Sequence, residues 1–199
     1  LHNVTLAPKY DYITAQVVGG SGGGFSHSAT INVGREGGVE AGAVALDGGG
    51  VVGRVVSLGN RASRVLLVTD LASRVPVKVE GTGSRRILVG DNTGMPILEF
   101  ATEIEEIKPG QLVVTSSDGG VFPKGLPIGE VVRTDEKTLR VRVAANFDRL
   151  EFVRILLDRT DRTIDADAVL IVSPRSTLRP NSEPIANPDA DPDPEEATE

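Results

Sequence analysis

The sequence predicts an all-β protein: two small consecutive β-barrel domains followed by a disordered acidic tail. Three observations predict it: many glycines with few large aromatics, short period-two apolar segments divided by turn signals, and a faint internal repeat. The 199 residues include 23 Gly, 12 Pro, five Phe and two Tyr, with no Trp or Cys. Glycine supplies the positive φ that tight turns need, so this composition fits short strands and argues against helix bundles and disulfide scaffolds.

Taken in order, turn signals fall at Gly19 to Gly24, Gly37-Gly38, Asp47-Gly48-Gly49-Gly50, Gly81-Thr82-Gly83, Asp91-Asn92-Thr93-Gly94 and Asp118-Gly119-Gly120. Between them, Val75, Val77 and Val79 alternate with polar Lys78, and Leu139, Val141 and Val143 alternate with Arg140 and Arg142. Such alternation marks half-buried strands, and short strands at regular spacing mark barrels or sandwiches. Gly42-Ala43-Val44-Ala45-Leu46 resembles Gly110-Gln111-Leu112-Val113-Val114, and Val52-Gly53-Arg54-Val55-Val56 resembles Ile128-Gly129-Glu130-Val131-Val132. The two offsets differ by one loop insertion, which divides the body into barrels over 1–78 and 79–157. These patterns leave open the strand order, the precise boundary and whether a late strand returns to the first barrel.

The charge is uneven. Residues 158–199 carry four basic and eleven acidic residues, a net of −7, so residues 1–157 hold 17 of each sign and are formally neutral. With six prolines and no glycine after residue 173, this Pro/Asp/Glu-rich tail is expected to be disordered. A neutral body lacks the electrostatic footprint for nucleic acid and has no basic patch for a membrane surface. The longest apolar runs, such as Val65-Leu66-Leu67-Val68, are far shorter than a membrane span. The chain starts at Leu1 with no signal-peptide pattern, which suggests a soluble fragment of a longer protein whose targeting segment, if it has one, lies upstream.

Catalytic patterns fail on their own chemistry. His27, Asp70 and Ser116 or Ser117 follow the chain order of a chymotrypsin-like serine hydrolase, active or degenerate, which is the alternative reading. In Ser116-Ser117-Asp118-Gly119-Gly120, however, Asp118 stands where the nucleophile must precede the glycines to build an oxyanion hole. Asp189-x-Asp191-x-Asp193 starts like an EF-hand loop, but Pro194 replaces the required glycine. Gly20-Ser21-Gly22-Gly23-Gly24 lacks the Gly-Lys-Ser/Thr of a phosphate loop. Gly81-Thr82-Gly83-Ser84-Arg85-Arg86 could hold an anion but reads more simply as a hairpin turn. A carbohydrate-binding domain lacks a stacking platform, with only Tyr10 and Tyr12 and no Trp. No catalytic residue, cofactor or metal is expected, and binding or scaffolding is what remains.

Several longer strings coincide with one family. Gly49-Gly50-Val51-Val52-Gly53-Arg54-Val55, Ser63-Arg64-Val65-Leu66-Leu67-Val68-Thr69-Asp70 and Ser73-Arg74-Val75-Pro76-Val77 resemble the bacterial rod-shape-determining MreC family. Pro109-Gly110-Gln111-Leu112-Val113-Val114-Thr115-Ser116, then Gly119-Gly120-Val121-Phe122-Pro123-Lys124-Gly125-Leu126-Pro127-Ile128-Gly129-Glu130-Val131, and finally Asp148-Arg149-Leu150-Glu151-Phe152-Val153, resemble its carboxy-terminal signature in the same order. The resemblance runs from about Ala15 to Leu157; Ser117 replaces a glycine of the family pattern.

The resemblance implies chymotrypsin-like barrels without catalytic residues, on the periplasmic face of the bacterial inner membrane, attached only through an upstream transmembrane helix missing here. The implied function is a non-enzymatic scaffold of the elongasome that self-associates and organises peptidoglycan synthesis for side-wall growth and rod shape. Implied partners are a class B penicillin-binding transpeptidase, MreD and RodA, and indirectly MreB and RodZ. The motif residues Gly50, Gly53, Arg54, Asp70, Thr115, Ser116, Pro123, Gly125 and Gly129 are expected to hold the fold. Gly53 and Gly129 precede equivalent strand segments, and Pro123 and Pro127 stiffen the turn between them.

Phe122, Phe25 and Phe147 are the candidate partner contacts, because large apolar groups dominate interface energy. Phe152 is weighed alongside Phe147; burial in the barrel is the competing and favoured reading for Phe122, Phe147 and Phe152, and Phe25 is the better candidate for exposure. Strand edges offer unpaired backbone groups, so edge addition is the expected route to filaments, with this fragment a monomer or weak dimer.

Overall fold

A computed structural model describes residues 10–23, 26–99, 107–134 and 138–157. Its strands form two closed antiparallel barrels, and the described residues contain no α-helix, only short 3₁₀ turns. The acidic tail, the Asp189-x-Asp191-x-Asp193 spacing and Phe25 lie outside the described residues.

The first barrel contains β1 (Asp11–Gly23), β2 (Ser26–Ile31), β3 (Val44–Leu46), β4 (Val51–Leu58) and β5 (Ser63–Leu67). It is closed by β12 (Phe152–Leu157), in the order β1-β12-β3-β4-β5-β2. The second contains β6 (Arg74–Val79), β7 (Arg85–Val89), β8 (Ile97–Glu99), β9 (Leu112–Thr115), β10 (Pro127–Arg133) and β11 (Leu139–Val143), in the order β10-β11-β8-β7-β6-β9.

Strand pairing moves two segments across the boundary expected at 78/79. Arg74–Val79 belongs to the second barrel, where it pairs with β7 and β9. Phe152–Leu157 returns to the first, where Asp11 pairs with Leu157 and Gln16 with Phe152. Local alternation shows that a strand exists; it carries no information about which distant strand completes its ladder.

The halves repeat each other in detail. Val55 donates to Ala43 O at 2.8 Å and Val131 to Gln111 O at 2.9 Å; Gly42 donates to Val55 O and Gly110 to Val131 O, both at 2.8 Å. Each hairpin has a register shift, between Ala45 and Leu46 in one and between Pro127 and Gly129 in the other. The sequence similarity between the halves thus coincides with equivalent backbone hydrogen bonds.

Ala15, Ile31, Val52, Val55, Val65, Val153 and Ile155 fill the first barrel; Val75, Val77, Leu88, Val113, Ile128 and Val141 fill the second. Val44, Leu46, Val51, Val68 and Leu156 come from the first barrel or the segment leaving it, yet pack into the second core. This explains why β3 and the start of β4 are buried without alternation, since one side faces their own core and the other the neighbouring barrel. The Asp91–Gly94 turn is clasped from β11: Arg140 donates to the Asp91 carboxylate at 2.7 Å and to Met95 O at 2.6 Å. Burial alone would raise the Asp91 pKa, but hydrogen bonds from Thr93 and Arg140, with the arginine charge, outweigh it and hold the group below its usual value.

Candidate interaction surface

Three of the nine motif residues, Gly50, Gly53 and Gly129, sit where backbones approach too closely for anything larger. A Cβ on Gly53 would lie 2.0 Å from Leu66 O, and one on Gly129 would lie 2.0 Å from Arg142 O. Glycine is therefore required at both equivalent hairpins. Gly50 meets the second barrel in the same way, with its Cβ position 2.5 Å from Pro127 O; Gly49 would strike Ala144 O at 2.1 Å. Asp47 holds that turn by accepting from the N–H groups of Gly49 and Gly50, while its second oxygen accepts from Asn146 N–H at 2.8 Å. Arg54 is half-buried and lies between Val44 and Leu66 in the register.

Asp70 is 3% exposed and accepts from the backbone N–H groups of His27 and Ala72, each at 2.7 Å, which ties β2 to the segment joining the barrels. Buried Thr115 does similar work on the signature loop. Its hydroxyl donates to Pro123 O at 2.5 Å and accepts from Leu126 N–H at 2.9 Å. Gly125, with φ of 87°, donates its N–H to Thr115 O.

The triad order does not become a triad. The Ser116 hydroxyl donates to the Asp118 carboxylate at 2.6 Å, and His27 Nδ1 faces Thr69 Oγ1 at 3.4 Å. Asp70 touches the backbone of His27, whereas a triad needs the acid on the imidazole. The serine hydrolase alternative thus has no assembled site among the described residues.

The expected aromatic contacts need correction. Phe122 is 3% exposed and belongs to the second core, because the Thr115 bonds fold its loop back over the barrel end. Phe147 is partly buried and packs against both cores. Edge addition is also unavailable to the described strands, since closure gives every strand a neighbour on both sides.

What the structure does expose on β1 and β12 are three large apolar side chains, set among the exposed Thr14, Gln16 and Arg154. Phe152 is 56% exposed, Tyr12 52% and Val18 58%. Phe152 stands opposite Gln16, and Val18 lies two residues farther along β1. The Arg154 guanidinium lies 5.4 Å from the Tyr12 ring centroid, a cation–π contact that stiffens the face. The sequence Phe152-Val153-Arg154-Ile155-Leu156-Leu157 hides this, because apolar residues on both phases leave the outward one ambiguous. Among the described residues, no helix is long and apolar enough to cross a membrane.

Comparison with known proteins agrees with this architecture. Residues 17–157 match the family model "Rod shape-determining protein MreC, barrel core". Over 180 residues the chain is 42% identical to the cell shape-determining protein MreC of Cereibacter sphaeroides, covering 90% of this chain and 60% of that protein. It therefore spans less than two thirds of that relative. The crystal structure of MreC from Pseudomonas aeruginosa superposes with a TM-score of 0.69 at 29% identity, covering 74% of this chain and 99% of that one. A structure described as a complex between penicillin-binding protein PBP2 and MreC from Helicobacter pylori gives a TM-score of 0.58 at 20% identity, over 76% of this chain and 99% of that one. Barrel core, signature glycines and sequence identity agree, and the chain belongs to the MreC family of rod shape-determining proteins.

Proposed function

We propose that this chain is the barrel portion of a non-enzymatic scaffold on the periplasmic side of the inner membrane, where it organises peptidoglycan synthases of the elongasome for side-wall growth. Its principal partner is a class B penicillin-binding transpeptidase. Support comes from the family and from the Helicobacter pylori relative described in complex with PBP2. MreD and RodA are membrane-borne partners of the whole protein, with MreB and RodZ reached indirectly.

The observation that carries the reading is the exposed Tyr12–Val18–Phe152 face on a rigid sheet wall. Large apolar groups held by paired strands lose little entropy on docking, which suits a scaffold. Self-association uses faces of this kind, since the described barrels are closed. The test is to replace the cellular protein with one carrying Phe152→Asp. Rounded cells at unchanged protein level are expected, and rods of normal width would refute the reading. A fluorophosphonate probe is expected to leave Ser116 and Ser117 unlabelled; labelling would revive the hydrolase.

A further inference from the structure

We propose that a groove on the second barrel binds the carboxylates of an acidic peptide segment. It is an open depression of about 580 Å³ between the β6–β7 hairpin and the loop after β9, a size that admits a short stretch of chain. The proposal does not rest on the transpeptidase reading, which uses the β1–β12 face of the other barrel.

The first support is an arrangement that stability alone does not favour. Lys78 and Arg85 stand directly opposite each other on β6 and β7. Like charges at directly paired positions destabilise a sheet. Lys124 adds a third cation to the same groove from the signature loop, whose backbone is fixed by Thr115 and Gly125. No carboxylate of the described residues lies within 4.0 Å of the Lys78 or Lys124 ammonium.

The second support is that the groove already holds a carboxylate of its own. Asp118 Oδ1 lies 3.3 Å from Arg85, while its other oxygen accepts the Ser116 hydroxyl at 2.6 Å. A ligand carboxylate arriving at Arg85 leaves Asp118 still bonded to Ser116, so exchange leaves no carboxylate unpartnered. Arg85 is the exchange point, and Lys78 and Lys124 take further carboxylates of the same peptide. Glu80 also lines the groove, so three cations face two internal anions. That modest excess suits carboxylates spaced along a chain better than a compact phosphate dianion.

Fluorescence anisotropy of the full chain with fluorescein-labelled hexaglutamate tests this at low ionic strength. Saturable binding is expected, about tenfold weaker in the Lys78→Ala, Lys124→Ala double variant, the loss of charge-assisted contacts. Lys124→Ala alone, in an exposed loop, is expected to weaken binding too and serves if the double variant unfolds. Asp118→Asn is expected to tighten binding several-fold by freeing Arg85. Lys108→Ala and Glu130→Gln, charge-matched changes elsewhere on the same barrel, are expected to leave it unchanged. Equal effects from those two would show diffuse attraction and overturn the site, as would no saturable binding. Displacement by inorganic phosphate or an oligonucleotide more readily than by unlabelled hexaglutamate would overturn the assignment to acidic peptide.

Discussion

Gly53 and Gly129 show how single residues hold this fold, because each would place a Cβ 2.0 Å from a backbone carbonyl oxygen. Gly53→Ala and Gly129→Ala must push strands apart, and each is expected to cost about 2–3 kcal/mol in urea unfolding. Gly42 and Gly110 have open space at their Cβ positions but φ of 86° and 87°. Alanine there meets only backbone strain, about 1 kcal/mol, so the two pairs separate packing from conformation. Asp91 supplies a pH signature. Its folded-state pKa is depressed, so its contribution is present above the unfolded value and is lost as pH falls through the folded one, below the usual range near about 4. The urea midpoint is expected to fall in that acid window, with Asp91→Asn removing this part of the slope. An unchanged slope would place the acid sensitivity elsewhere.

Among the elements, β12 decides whether the first barrel closes. It separates β1 from β3, with Asp11 paired to Leu157 and Arg154 to Leu46. A chain ending at residue 149 is expected to lose the amide exchange protection of β1 to β5 while β6 to β11 keep much of theirs. Retained protection in β1 would show that the barrel closes without it. The sequence made the individual strands legible where polar and apolar residues alternate, as at Val75, Val77 and Val79, and the repeated glycines marked equivalent hairpins. The β1–β12 pairing was illegible because the partners lie at opposite ends of the body and no local pattern links them. For Phe122 a Phe-Pro turn leaves exposure and burial both open, and burial follows only once a threonine seven residues earlier folds the loop inward. Phe152 is a candidate on a par with Phe147, and apolar neighbours on both phases of its strand leave its outward direction open.

At the scale of the whole molecule, the body is two copies of one hairpin plan joined by apolar side chains that extend one core into the other barrel. Val44, Leu46, Val51 and Leu156 serve that joint, and the Asp47 turn is seated against Pro127 and Ala144. Such a body presents fixed faces, as the scaffold proposed above requires, and β1 and β12 carry Tyr12, Val18 and Phe152, each more than half exposed. The most direct test is calorimetric titration of this chain into the periplasmic part of a class B penicillin-binding protein from the same cell, comparing wild type with Phe152→Asp. Saturable binding is expected, weakening at least about tenfold in the variant with thermal unfolding unchanged. An active transpeptidase that does not bind wild type, or that binds both proteins equally, would contradict it.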